Sequence, residues 1–301
     1  MSMFKKSTAV RENVKLKIGM AGPSGSGKTY SALQLAYGIT GDWTKIAVAD
    51  TENSSALYYA SLGPWQHIPF DPDNVKDGYH PNNWRTLIAF VEQDPAIEVL
   101  ILDSISHEWE GKGGCLHIHE QLGGKYQNWA TVTPLHAGFI DALRLSRLHI
   151  IGTMRSKQDY AMEQENGKTK VTKLGLKSVQ REGTDYEMGI VFDVSMNHHA
   201  KAGKDRTGLF AKRGEFQITP DIGKELVAWA SSGVDAPKPG AKTAGVYTGA
   251  PDQQKIIRDI LARQKGAEAL WDEIDKRLMG RPSTELRAAI SEAQNTQGAF
   301  S

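Results

Sequence analysis

Eight residues constrain this chain more than any other feature: Gly22-Pro-Ser-Gly-Ser-Gly-Lys28-Thr29, set between an apolar stretch and a helical one. They match the pattern G-x4-G-K-[ST] in full. That pattern carries meaning when a strand precedes it and a helix follows. Residues 15–21 supply the strand, alternating at first and then turning apolar. Residues 28–39 supply the helix. Glycines let backbone N–H groups curl around phosphate oxygens without Cβ clashes. The helix N-terminus adds partial positive charge. Gly22, Pro23, Ser24, Gly25, Ser26, Gly27, Lys28, Thr29 and Tyr30 are therefore the expected nucleotide-binding residues. Lys28 should reach the β- and γ-phosphates, and the Thr29 hydroxyl should hold Mg2+.

The chain continues as alternating strands and helices. Residues 45–50, 97–103 and 148–154 read as buried strands. Trp84, Leu87, Ile88 and Val91 share one helical face. Pro134 marks the start of another helix, which carries Leu135, Phe139, Ala142 and Leu143. Strands alternating with helices imply an α/β fold, a mostly parallel sheet flanked by helices on both faces. The pattern then changes. Residues 159–173 suggest a hairpin around Asn166-Gly167, a favoured tight-turn dipeptide. Residues 190–196 and 207–219 read as late antiparallel strands, and 221–230 as a short helix. The expected organisation is a core domain over 1–231, a linker over 232–250 and a small helical C-terminal module over 251–301.

Composition excludes several other classes. Hydrophobic residues make up 40% and charged residues 24% of the 301 residues, values of an ordinary globular chain with a core to bury. No apolar run approaches the ~18 residues of a membrane span, so no membrane association is expected. The first residues are basic but lack an apolar core, so they do not read as a secretory signal. The single cysteine, Cys115, excludes an internal disulfide framework and fits a reducing compartment, with the cytoplasm as the expected location. Net charge is +1, so nucleic-acid binding would have to come from local patches.

Two acids sit where phosphoryl-transfer chemistry needs them. Asp103 ends a strand after four apolar residues, Val99 to Leu102, the setting of a second Mg2+-organising acid. The next residue is Ser104, so a catalytic carboxylate must come from elsewhere. Glu52, at the end of the second strand, is the first candidate. Parallel strand ends converge on one sheet edge, and a carboxylate there can orient and deprotonate an attacking water. Glu108 and Glu110 are its rivals, in an expected loop. Cys115, His117 and His119 alternate and would share one face of a strand. No fourth ligand or closed geometry accompanies them, so no metal site is read there.

The chain resembles the RecA-type recombinase ATPases, most of all the short phage-encoded single-strand annealing ATPases. The likeness covers about residues 11–231. It rests on the glycine-rich loop, Asp50-Thr-Glu52, Leu102-Asp103-Ser104, Gly152-Thr-Met-Arg155-Ser-Lys157, Tyr186…Ile190-Val-Phe-Asp193, Lys204-Asp-Arg206 and Gly214-Glu-Phe-Gln-Ile218. The resemblance implies ATP bound between subunits of a homo-oligomer, with Lys204 and Arg206 reaching the γ-phosphate held by the adjacent protomer. It also implies a polar amide at the end of the strand after Asp103. Thr153 stands in that place instead, a departure from the family's pattern, with Arg155 two residues on. A DNA-contacting loop should follow that strand. There Lys168, Lys170, Lys173, Lys177 and Arg181 form a run without an acid over residues 166–181. Such lysines can track a phosphate backbone and release counterions. Residues 111–129, with Lys112, Lys125, Tyr126 and Trp129, are a second candidate. No base-reading motif accompanies them, so binding should be independent of sequence.

These readings converge on an ATP- and Mg2+-dependent, DNA-stimulated ATPase. It would bind single-stranded DNA and promote annealing or strand exchange. Lys28, Glu52, Lys204 and Arg206 would be its catalytic residues, and a single-strand-binding or replication protein a possible partner class. The alternative is an ATP-driven motor or helicase loader that uses the same core on a protein partner, with the C-terminal helices as its docking module.

Overall fold

The computed structural model describes residues 8–165 and 168–234, with the backbone alone described over 158–177. The expected turn residues Asn166 and Gly167, the linker from residue 235 onward and the helical module 251–301 lie outside the described residues. Glycine-rich punctuation and apolar strands give a regular alternation. β1 (Lys17–Gly22) leads into α1 (Lys28–Thr40), and then come β2 (Ile46–Asp50), β3 (Gln66–Pro69), α2 (Pro81–Glu92) and β4 (Val99–Asp103). Three helices follow: α3 (Ser106–Glu110), α4 (Cys115–Gln121) and α5 (Trp129–Leu145). The chain continues with β5 (His149–Glu165), β6 (Lys168–Ser178), α6 (Thr184–Glu187), β7 (Ile190–Val194), β8 (Ala200–Asp205) and α7 (Pro220–Ala230).

The main sheet has the order β3-β2-β4-β5-β1-β7-β8. Its strands run parallel from β3 to β7, and β8 returns antiparallel to β7. β5 is long enough to do two things. Through Arg155 it pairs with β1, and from Ser156 onward it pairs antiparallel with β6 as a two-stranded arm. The predicted α/β class, with a mostly parallel sheet and late antiparallel strands, is the observed architecture.

The central strands β1, β2 and β4 are buried on both faces, as alternating side chains of parallel strands covered on both sides require. Ile46, Val48, Val99 and Ile101 point to one side, where they meet Leu33 and Leu35 of α1 and Leu226 of α7. Ala47, Ala49, Leu100 and Leu102 point to the other, against Trp84 and Ile88 of α2 and Phe139 and Leu143 of α5. α2 starts with Pro81 and is capped by His80, whose ring accepts from the Asn82 N–H at 3.1 Å. α1 ends at Gly41 in the left-handed region, with its N–H on the Tyr37 carbonyl at 2.7 Å.

Four sequence expectations need correction. Glu108 and Glu110, expected in a loop, lie on helix α3. Residues 207–219 are not a strand; the strand paired with β7 is Ala200–Asp205. Asp205 takes the intervening backbone donors for itself. Its Oδ1 accepts from the Thr207 N–H at 2.8 Å and its Oδ2 from the Phe210 N–H at 2.8 Å. A carboxylate that captures neighbouring N–H groups makes a turn instead of a ladder. Pro134 lies inside α5, which begins five residues earlier at Trp129. The extra turn is anchored by Trp129, stacked on His119 at 4.1 Å and on Trp109 at 5.6 Å. Finally, Cys115, His117 and His119 lie on helix α4, not on a strand.

Candidate active site

The chain from β1 to α1 turns through Gly25 and Gly27, at φ 80° and 86°, where a Cβ would strain the backbone. The loop they form borders a cavity of about 750 Å3 at the C-terminal edge of the sheet. Open α/β sheets bind ligands at that edge. Ser24, Gly25, Gly27, Lys28, Thr29 and Tyr30 line the cavity from the loop side. Glu52, Asp103 and Arg155 line it from the ends of β2, β4 and the core part of β5. Ser31, Ser55, Tyr59, His198, Gln217 and Ile218 complete the wall. Gly22, Pro23 and Ser26 support the loop without bordering the cavity. The Pro23 carbonyl accepts from Lys28 Nζ at 2.9 Å, and the Ser26 carbonyl lies 3.0 Å from His198 Nδ1.

Asp103 is buried, and neutral hydroxyls hold both its oxygens. Thr29 Oγ1 donates to Oδ2 at 2.6 Å, and Thr153 Oγ1 donates to Oδ1 at 2.5 Å. Burial pushes this carboxyl up, against the pull of those two hydroxyls. Thr153 thus acts on Asp103; it does not face the cavity. The Asp103–Ser104 peptide is cis. Thr51 ties the neighbouring strand ends together. Its hydroxyl donates to the Asp103 carbonyl at 3.0 Å, accepts from the Ser104 N–H at 2.7 Å and lies 2.7 Å from His107 Nδ1. The hydroxyl of Thr29 and the carboxylate of Asp103 form a pair of hard oxygen ligands suited to Mg2+. A divalent cation would also reverse the burial penalty on Asp103. The residues present therefore fit that ion.

Lys28 is the cation nearest the loop. Burial lowers its pKa, while Asp103 and Glu52 act against that shift. Glu52 is fixed from below by Asp50, whose Oδ1 accepts the Glu52 N–H at 2.7 Å and whose Oδ2 accepts the Ala56 N–H at 2.8 Å. Asn53 and Ser54 then take φ 55° and 60°, folding the next segment back over the sheet edge. The side chain of Glu52 meets Arg155 as a two-pronged pair: Nε donates to Oε1 at 2.9 Å and Nη2 to Oε2 at 2.7 Å. Burial alone would push Glu52 up. The Arg155 fork, with His107 and Lys28, outweighs it and holds the carboxyl below its ordinary range.

The two rival acids lie elsewhere. Glu108 is buried, where its Oε1 accepts from the Cys115 thiol at 3.1 Å and both its oxygens lie 3.1 Å from His136 Nδ1. Burial, with the neighbouring Glu108 charge, pushes that thiol up. Glu110 faces the surface and pairs with Lys157 at 2.8 Å. Neither borders the cavity.

Lys204 and Arg206 do not line the cavity of their own chain. Lys204 Nζ donates to the Asp185 and Tyr186 carbonyls at 2.7 and 2.6 Å, and Arg206 Nη2 donates to the Tyr186 carbonyl at 2.9 Å. Lys204 lies near the end of β8, the edge strand, and Arg206 directly follows it. Lys168, Lys170, Lys173 and Lys177 all fall on β6, and Arg181 follows it. The register adds what the sequence run concealed: Lys168 is paired with Glu165 and Lys170 with Glu163.

Tyr59 and His198 are cavity residues that sequence reasoning missed. Tyr59 packs its ring 5.7 Å from that of Tyr30. Its signal was the aromatic run after Glu52; His198 left none. A family model described as an AAA domain matches residues 14–217, about two thirds of the chain. No curated protein matches the chain.

Proposed function

The chain belongs to the AAA domain family, and on that premise we propose that it is a Mg2+-dependent ATPase that assembles as a homo-oligomer and acts on single-stranded DNA as an annealing protein. The observation that carries the ATPase reading is the convergence of Lys28 and Thr29 from α1, Asp103 from β4 and Glu52 from beyond β2 on one cavity. The RecA-type annealing ATPases named above are the proposed relatives within that broader class.

The roles follow from the geometry. The loop N–H groups and the start of α1 receive the phosphates. Lys28 leaves the Pro23 carbonyl to meet the β- and γ-phosphates. Thr29 and Asp103 would hold Mg2+, which supplies neutralisation of phosphate charge; Thr153 orients Asp103 for that task. Glu52 takes the proton of the attacking water. Tyr30, Tyr59 and Ile218 offer the apolar wall for a base. Lys204 and Arg206, at the open sheet edge, would serve the cavity of a neighbouring protomer, where cations offset charge developing in phosphoryl transfer. The arm of β5 and β6 is the proposed DNA contact. It carries five lysines against three acids between residues 157 and 178.

That modest excess, with Glu163 and Glu165 opposite two of the lysines, is what favours the second reading, a motor or loader acting on a protein partner. Glu52→Gln tests the shared core of both readings. Nucleotide affinity, read by fluorescent-nucleotide titration, should stay within a few-fold of wild type. Turnover should fall about 10²-fold or more, as loss of a general base does. Wild-type turnover in that variant would remove Glu52 from the mechanism.

A further inference from the structure

The two helices that follow β4 have no apolar core of their own. α3 buries Ser106 and Glu108, α4 buries Cys115, and the other side chains of both helices are at least partly exposed. Helices of five and seven residues have little stability in isolation and need a packed face to hold them. What these two bury together is polar. A glycine turn folds α4 back onto α3 so closely that a Cβ on Gly114 would lie 2.6 Å from the Glu108 carbonyl oxygen. That turn sets the Cys115 thiol 3.1 Å from Glu108 Oε1, and α5 brings His136 Nδ1 to 3.1 Å from both Glu108 oxygens.

Among the described residues these three form the one group of His, Cys and carboxylate ligand atoms close enough to share a metal ion. The atoms lie within 4.8 Å of one another, and all three residues are buried. In a tetrahedral zinc centre with bonds of about 2.0–2.3 Å, neighbouring ligand atoms stand about 3.4 Å apart. The contacts at 3.1 Å are close to that spacing, so an ion enters with a small outward shift of its ligands. Thiolate and imidazole favour Zn2+, whereas Mg2+ and Ca2+ take oxygen. Charge also matters in a buried place. One thiolate and one carboxylate balance the ion, and a neutral imidazole adds none, so the centre is neutral. Gln180 Nε2 donates to the Ile105 carbonyl at 2.9 Å and to Glu108 Oε2 at 3.4 Å, which orients the carboxylate from behind as partners of metal ligands do. His136 also borders a surface cavity of about 420 Å3. Thr184 lines the same cavity, and its buried hydroxyl has no partner among the described residues. A water entering there can supply the fourth ligand.

We propose that Glu108, Cys115 and His136 form a structural Zn2+ site that staples α3, α4 and α5 together. The ion takes the Cys115 sulfur as thiolate, and the thiol proton passes to solvent. Glu108 and His136 Nδ1 exchange their contact with each other for bonds to the ion. The site shares no residue with Thr29 and Asp103, the ligands offered to Mg2+. His117 and His119 stay outside it: His117 Nδ1 accepts the Gly113 N–H at 2.7 Å, and His119 stacks on Trp129.

The chain has a single cysteine, which makes the test specific. Reduced full-length protein, stripped with a chelator, is titrated with Co2+ and then with Zn2+. A thiolate-to-cobalt charge-transfer band in the near ultraviolet can come only from Cys115. Wild type should develop that band with one equivalent of Co2+, and one equivalent of Zn2+ should remove it. Cys115→Ser should show no band. His136→Ala should bind Co2+ about 100-fold or more weakly, beyond what loss of a partner behind the ligands costs. Zn2+ should raise the Tm of wild type by more than that of Cys115→Ser, since an ion bound by the native state alone stabilises it. Circular dichroism confirms that both variants are folded. A wild-type protein that shows no band in excess Co2+ overturns the site, and that arm needs no variant. Wild-type cobalt affinity in folded His136→Ala overturns the ligand set. An equal Tm shift in wild type and Cys115→Ser overturns the staple.

Discussion

At the scale of single residues, the interior of this protein is organised by polar groups whose partners leave little choice of protonation. His149 opens β5 with both ring nitrogens facing donors: the Leu16 N–H lies 3.1 Å from Nδ1 and Lys15 Nζ 3.3 Å from Nε2. Burial, reinforced by Lys15 and Lys17, pushes its pKa down from 6.5 to about 3. The unfolded chain therefore binds a proton that the native state refuses between those values. Stability should fall as pH drops below about 6.5, by up to about 1.4 kcal/mol per pH unit, and the slope should end near pH 3. Urea unfolding of wild type and His149→Gln from pH 7 to pH 4 checks this. The variant should show a shallower loss, and identical slopes would contradict it.

The same scale shows what sequence could and could not reveal. Lys28, Thr29, Asp103 and Glu52 were legible because each follows an apolar strand or sits in a fixed spacing, and parallel strands deliver their ends to one edge. The Arg155–Glu52 pair was not. It joins residues 103 apart, and their proximity depends on β4 lying between β2 and β5 in the sheet, an order that periodicity does not encode.

At the scale of elements, α1 and α7 show how two glycines set a helix contact. A Cβ on Gly38 would lie 2.0 Å from the Pro220 carbonyl oxygen, and one on Gly223 would lie 2.3 Å from the Leu35 carbonyl oxygen. The obstacles are backbone atoms, so the helices would have to separate. Alanine normally favours a helix over glycine by about 1 kcal/mol, but here the clash should dominate. Gly38→Ala should lower stability by about 1–3 kcal/mol, seen as a lower denaturant midpoint at unchanged slope. Equal or greater stability would mean that the two helices are not held at this distance. Strand and helix identities were mostly readable from spacing. Exceptions include the helices α3 and α4, the first turn of α5, held by stacked Trp129, and the region after β8, where Asp205 diverts the backbone donors into a turn.

At the scale of the whole molecule, the architecture separates binding of phosphate from the surfaces that would read out its presence. The cavity lies at one sheet edge, and the arm leaves from the middle strand of that same edge. Lys204, on β8, and Arg206, just beyond its end, stand at the far lateral end of the sheet. Among the described residues no helix is long and apolar enough to cross a membrane. ATP that bridges two protomers would favour assembly, and its hydrolysis would release that bias. The arm of β5 and β6 is the proposed DNA contact. Steady-state ATP hydrolysis with and without single-stranded DNA, across a salt series and with Lys28→Ala as the blank, tests this account most directly. It predicts stimulation by DNA that fades as salt rises, because phosphate contacts release counterions. Robust hydrolysis that is indifferent to DNA at every salt concentration would contradict it and shift the function to a protein partner.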